Sequence, residues 1–162
     1  MGLFGNRRPR PLVDDTLPGS AWISASSSAY SRTVSAYYGS PETMASGGEK
    51  TLRSGDVGVA LFYFAKSIDM LHTAYGFSNM QDRTPGPQDA PIIDGYLDAL
   101  LAVKQRKPDA PLAEPIRETT HRLRSISTTA EGVGIDAGRY RQALDMMANV
   151  VPEVPVDDIL WY

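Results

Sequence analysis

Two carboxylate-x-x-histidine pairs are the residues of this chain whose types and spacing could do chemistry. Asp69 and His72 form one pair, and Glu118 and His121 form the other. Ferritin-like di-iron bundles use Glu-x-x-His from two helices together with a Glu from each of two further helices. The further carboxylates that this chain could nominally supply are Glu49, Asp94 and Asp98.

Helical phase argues against such a metal centre. At about 100° per residue, His121 points almost opposite the apolar stripe of its own helix, and Glu118 points about 120° away from it. Asp69 falls outside the apolar face of its helix, and His72 falls at the edge. Because the ligands of a bundle metal site project inward, we expect no metal and no cofactor, with His72 in or near the core and His121 on the surface.

Two glycine-rich stretches share part of a nucleotide-binding pattern. Residues 46–51 read SGGEKT, where Glu49 interrupts the required Gly-Lys-Ser/Thr and no strand precedes the loop. Residues 132–138 miss the dinucleotide spacing by one residue and follow a helix. A Gly-x-Ser-x-Gly nucleophile elbow is absent from the sequence. We interpret both glycine-rich stretches as signals that begin or end helices, and we predict no catalytic residue.

The stretch from residue 55 to residue 77 predicts the helix against which the other elements pack. Its apolar residues recur at the spacing of one helical face, namely Val57, Leu61, Phe64, Ile68, Leu71 and Tyr75. A second apolar flank, which includes Phe62 and Tyr63, predicts neighbours on two sides. Asp56 is a suitable N-cap for this helix.

The remaining pattern predicts an all-α single domain of about six helices, arranged as a helical-hairpin array or a bundle. The expected helices are 20–38, 41–53, 55–77, 91–104, 113–131 and 136–151. Ser20, Ser40 and Asp136 are the expected caps, and no segment alternates with the period of a strand. Residues 1–19 are interpreted as a flexible Pro/Arg-containing arm, 20–151 as the helical domain, and 152–162 as a C-terminal tail.

Composition excludes several classes of function. The chain has 162 residues, a formal charge of −3 and no cysteine. We therefore expect no cationic field that would recruit nucleic acid, no thiol chemistry, and no membrane insertion, since no apolar run approaches about 18 residues. A cytoplasmic location is expected. A group of cations lies close in sequence and could form an anion-binding face, although interspersed acids favour a mixed-charge surface: Lys104, Arg106, Lys107, Arg117, Arg122 and Arg124.

Residues 41–74 resemble one tetratricopeptide unit, a helix-turn-helix of about 34 residues. Ala60, Phe64 and Ser67 stand where that family keeps a small, an aromatic and a small residue. Gly48 stands at the small position of the first helix. The positions that depart from the family pattern are Met44, Gly47, Thr51 and His72. The resemblance implies a scaffold that binds a partner peptide or helix.

The sequence therefore predicts a non-catalytic helical scaffold or adaptor, whose partner is another protein or a second copy. The aromatic end of the chain must either dock back on the domain or contact a partner, and the candidate partner-binding residues are Asp158, Ile159, Leu160, Trp161 and Tyr162. One alternative is a small helical enzyme or ligand-binding bundle, with the proline-rich loop 78–91 as a lid over a pocket lined by Tyr63, His72 and Tyr96. Another is a phage or virion structural component.

Overall fold

The computed structural model of the protein describes residues 10–34, 38–76 and 83–153. Within these ranges the chain forms six α-helices and one short 3-10 turn (Pro87–Asp89), with no strand, which confirms the predicted all-α single domain. The helices are α1 (Gly19–Thr33), α2 (Pro41–Arg53), α3 (Val57–Gly76), α4 (Ala90–Arg106), α5 (Ala113–Gly132) and α6 (Gly138–Val150).

Helix α2 begins at the predicted residue because its local sequence supplies the cap. The Ser40 hydroxyl accepts from the Thr43 backbone N–H at 3.2 Å, and the Thr43 hydroxyl accepts from the Ser40 N–H at 3.1 Å. Pro41 occupies the first helical position, where no intrahelical N–H is needed. Two otherwise unpaired backbone donors are therefore satisfied within four residues.

Helix α1 begins by a different route from the one expected, and the assignment of Ser20 as its cap is wrong. The helix starts one residue earlier, and the Gly19 N–H donates to Asp109 Oδ2 at 2.7 Å. Asp109 lies in the connection between α4 and α5. A long-range carboxylate thus replaces the local serine, a contact that no local pattern could specify.

The described part of the expected N-terminal arm, residues 10–18, contacts the helical body. Val13 is buried, and the Leu12 N–H donates to Asp56 Oδ1 at 2.8 Å. The Asp15 carboxylate accepts from the indole N–H of Trp22 at 3.2 Å. Residues 1–9 lie outside the described residues.

Helix α3 is the centre of the domain, as its apolar spacing predicted. It packs against four of the other helices, α1, α2, α4 and α5, whereas α6 packs on α4 and α5. Its fully or nearly fully buried residues lie on more than one face, which requires neighbours on several sides: Val57, Val59, Ala60, Leu61, Tyr63, Phe64, Ser67, Ile68 and Leu71. On α4, Leu101 is 38% exposed, whereas Val103 is completely buried.

Glycines allow α2 and α4 to approach α3 closely. A Cβ atom at Gly48 of α2 would lie 2.8 Å from the Phe64 ring, and one at Gly95 of α4 would lie 2.3 Å from it. The Phe64 ring, which is completely buried, is therefore held between two glycine surfaces. The stretch 46–51 lies inside α2, so its interpretation as a signal that begins or ends a helix is wrong. Its glycine at position 48 supplies this close contact instead.

Among the described residues, no helix is both long enough and apolar enough to cross a membrane.

Candidate functional site

The two carboxylate-x-x-histidine pairs meet at the surface between α3 and α5. Arg122 Nε lies 3.0 Å from Asp69 Oδ1, and its Nη1 lies 3.3 Å from Glu118 Oε2. Glu118 is exposed, as expected, but His121 is only partly exposed. The expectation that His121 faces solvent is wrong in degree, because α3 packs along that side of α5.

Cations already neutralise the carboxylates of this surface. Besides Arg122, Lys66 Nζ lies 2.9 Å from Asp69 Oδ2. Burial, with Arg122 and His121 adding to it and Asp69 opposing, lowers the pKa of His72. A divalent metal would have to displace two cationic side chains here. In the part of the chain that the structure describes, no group of three or more His, Asp or Glu side chains is placed to hold a metal ion.

A second cluster of polar residues surrounds Asp89, which is completely buried. The Tyr75 hydroxyl donates to Asp89 Oδ2 at 2.6 Å, and the Tyr140 hydroxyl donates to the same oxygen at 2.7 Å. Arg83 Nη2 lies 3.1 Å from Asp89 Oδ1. The Gly86 N–H donates to the Tyr140 hydroxyl at 2.9 Å.

This cluster fixes the described part of a loop, residues 83–89, to the helices around it. Burial, followed by the hydrogen bond to Asp89, raises the pKa of Tyr75 and of Tyr140, so both hydroxyls stay protonated as donors. Arg83 also pairs with Glu42 of α2 at 2.6 Å. Residues 83–89, the described half of the loop proposed as a lid, are therefore anchored to three helices. Residues 77–82 lie outside the described residues.

The residues predicted to line a ligand pocket do not come together around a cavity. Tyr63 and Tyr96 are 2% and 0% exposed and belong to the hydrophobic core. Tyr63 donates to the Thr33 hydroxyl at 3.3 Å, whereas His72 lies at the surface between α3 and α5. The Tyr96 hydroxyl lies beside Thr119 but has no partner at hydrogen-bonding geometry.

A groove lies between α5 and α6 and is a candidate binding site. It is open to solvent and has a volume of about 250 Å³. Both helices line it, through Ile116, Thr120, Arg124, Arg141, Leu144, Asp145, Met147 and Ala148. Pockets for drug-sized molecules usually measure about 300–1,000 Å³, so this groove is slightly smaller than that range and has room for one or two side chains of a peptide.

The floor of the groove is apolar. Ile116 and Met147 are each 1% exposed, and Leu144 is half-buried at one wall. The small side chains of Thr120 and Ala148 leave the space between the helices, since larger residues there would fill it. An apolar side chain that entered the groove would lose contact with water on most of its surface.

Charged residues stand at the rim. Arg141 forms an ion pair with Glu131, and Asp145 is exposed. Arg124 is half-buried, and among the described residues no side chain pairs with its guanidinium. The rim therefore offers one guanidinium whose planar donors suit a carboxylate.

The other sequence-adjacent cations do not join Arg124 in a single anion-binding face. Arg106 donates to the Gly55 carbonyl, and Lys107 Nζ donates to the Leu17 carbonyl at 2.8 Å. Arg122 faces α3, as described above. Arg117 and Arg122 also pair with acidic side chains, which favours the mixed-charge interpretation of this set, and Arg124 is the member that lines the groove.

The groove was not identified from the sequence. Of the groove residues Arg124, Leu144 and Met147, only Arg124 is named above from the sequence, as part of a basic group. No local signal shows that these three residues share a cleft, because the cleft depends on how α5 and α6 are rotated against each other. The predicted partner-binding residues, Asp158–Tyr162, lie outside the described residues.

Compared with family models, curated proteins and solved structures, the chain matches none of them significantly.

Proposed function

We propose that this protein is a non-catalytic helical adaptor whose α5–α6 groove binds a segment of another protein. The observation that carries the proposal is the guanidinium of Arg124, which pairs with no side chain of the described residues, beside an apolar floor. The segment that fits has an acidic residue next to an aliphatic or aromatic side chain. The acid would pair with Arg124 while the apolar side chain enters the groove.

Two further observations support a binding role. The carboxylates of Asp89 and Asp69 are both already paired with donors from the described part of the chain. The resemblance of residues 41–74 to a tetratricopeptide unit stays a prediction, and it points to the same class of function. We place this function in the cytoplasm, since a chain without cysteine suits a reducing compartment.

Peptide display on the immobilised full chain tests the proposal. The chain should enrich peptides that carry an acidic residue within a few positions of an aliphatic or aromatic one. Arg124→Glu should abolish that enrichment, because it reverses the charge at the rim without changing the floor. Arg117→Glu is the matched control, since Arg117 is an exposed α5 residue that pairs with Glu114 and does not line the groove.

Either of two results would contradict the proposal. One is a failure to enrich any peptide class. The other is equal enrichment by the Arg124→Glu variant, which would locate binding elsewhere. Circular dichroism of both variants must first show an unchanged helical signal and melting temperature.

A further inference from the structure

We propose that residues 157–162 of the chain occupy the α5–α6 groove of their own molecule, so that a partner must displace them. This inference rests on the groove being the protein-binding site proposed above. The proposed occupant is the segment DDILWY. The protein would then be an adaptor whose binding site is covered by its own tail when no partner is bound.

The tail has the chemistry that the groove selects. Asp157 and Asp158 supply carboxylates, and Ile159, Leu160 and Trp161 follow them directly. A carboxylate–guanidinium pair forms a charge-assisted hydrogen bond that is stronger than a neutral one. Large apolar side chains, tryptophan above all, are the usual anchors of a binding surface.

The tail is also long enough to reach Arg124 from the end of α6. Helices α5 and α6 are joined by the short connection 133–137 and pack on each other, so they run antiparallel. The end of α6 at Val150 therefore lies towards Ile116, while Arg124 lies further along. The distance from Ile116 to Arg124 is about 12 Å along the helix axis, and the six residues from 152 to 157 span up to about 20 Å when extended. The excess length lets Asp157 reach Arg124 without full extension, and the proposal requires the chain to turn there so that Ile159 and Leu160 lie over the apolar floor.

Attachment favours the tail of the same molecule over a competitor. A segment held by a short flexible link has an effective concentration of about 1 mM at its site. A second copy at micromolar concentration would compete poorly with it. If the isolated segment binds with a Kd of about 0.1 mM, the tethered tail weakens a competitor's apparent affinity by about tenfold.

Fluorescence anisotropy with a labelled peptide of residues 154–162 tests the proposal. It compares the full wild-type chain with a full-length tail variant, Ile159→Ser/Leu160→Ser/Trp161→Ser. The tail variant should bind the peptide saturably and about tenfold more tightly than the wild type, because its groove is uncovered. Adding Arg124→Glu to the tail variant should weaken binding at least tenfold, whereas adding Arg117→Glu should leave it unchanged.

Three results would overturn the proposal. The first is no saturable binding of the peptide by the tail variant, and the second is equal binding of the peptide by the two chains. The third is sedimentation of the wild type as a dimer that the tail variant does not form, which would make another copy's tail the occupant. The tail variant could fail to bind the tail peptide and still enrich displayed peptides in a way that depends on Arg124. In that case the proposal that the tail occupies its own groove fails, while the proposed adaptor function stands. If the tail variant enriches nothing, both fail.

Discussion

Tyr75, Arg83 and Tyr140 all direct donors at Asp89, whose carboxylate is completely buried. A buried charge is costly unless donors surround it. Here the donors come from α3, from the loop before α4, and from α6. The carboxylate therefore joins three segments that are distant in the sequence, and removing a single donor should affect stability more than the loss of one surface hydrogen bond.

Two tyrosines provide a matched test of this idea, because both are almost fully buried, at 2% for Tyr140 and 0% for Tyr96. Tyr140→Phe deprives Asp89 of a donor and the Gly86 N–H of its acceptor, which should lower the unfolding free energy by about 1–3 kcal/mol. Tyr96→Phe removes a hydroxyl without a properly placed partner, so stability should stay within about 1 kcal/mol or increase.

Chemical denaturation of both variants, monitored by circular dichroism, measures the two changes. Equal losses in the two variants would mean that burial of the ring, and not the bond to Asp89, accounts for the contribution of Tyr140. A larger loss at Tyr96 would mean that Thr119 serves its hydroxyl as a true partner.

At the scale of the elements, α3 is positioned by how closely its neighbours can approach. Phe64 is held between Gly48 of α2 and Gly95 of α4, with no room for a methyl group on either side. Glycine within a helix normally costs about 0.5–1 kcal/mol relative to alanine. At these two positions the close contact with a buried aromatic ring offsets that cost.

Gly95→Ala should therefore destabilise the protein despite its better helix propensity. The new Cβ would lie 2.3 Å from the buried Phe64 ring, and overpacking of this kind costs about 1–3 kcal/mol. Gly132→Ala is the matched control, because its Cβ would meet nothing within 4 Å, and it should be neutral or stabilising by up to about 1 kcal/mol. Thermal melts of the two variants compare them directly. A higher melting temperature for Gly95→Ala would show that Phe64 can move aside.

At the scale of the whole molecule, the helices could be predicted but the sites between them could not. The spacing of apolar residues on α3 and the Ser40–Pro41 start of α2 are local signals, and both led to the correct element. The Asp89 cluster could not be foreseen, since its donors lie up to 51 residues away in the sequence. The groove could not be foreseen either, because Thr120 and Ala148 form a gap only once α5 and α6 have docked.

The spacing of apolar residues along a helix predicted which of its side chains are buried, but it did not predict which residues of other helices they contact. It correctly placed Glu118 in solvent, yet it could not show that Arg122 would connect that residue to Asp69 across two helices. Side-chain pairing between elements depends on their relative rotation, and the period of one helix contains no information about that rotation.

The peripheral position of α6 has a consequence for amide hydrogen exchange. Among the described helices, α6 packs on α4 and α5, and it is linked to the central α3 through the hydrogen bonds that Tyr140 and Tyr75 make to Asp89, so it can open at a lower free-energy cost than α3. Native-state exchange should therefore give the amides of Ala143–Met147 a lower opening free energy than those of Phe64–Ile68. Equal values would mean that the whole domain opens as one unit. Since α6 is one wall of the groove, an occupant that binds there should slow exchange in α6 before it affects any other helix.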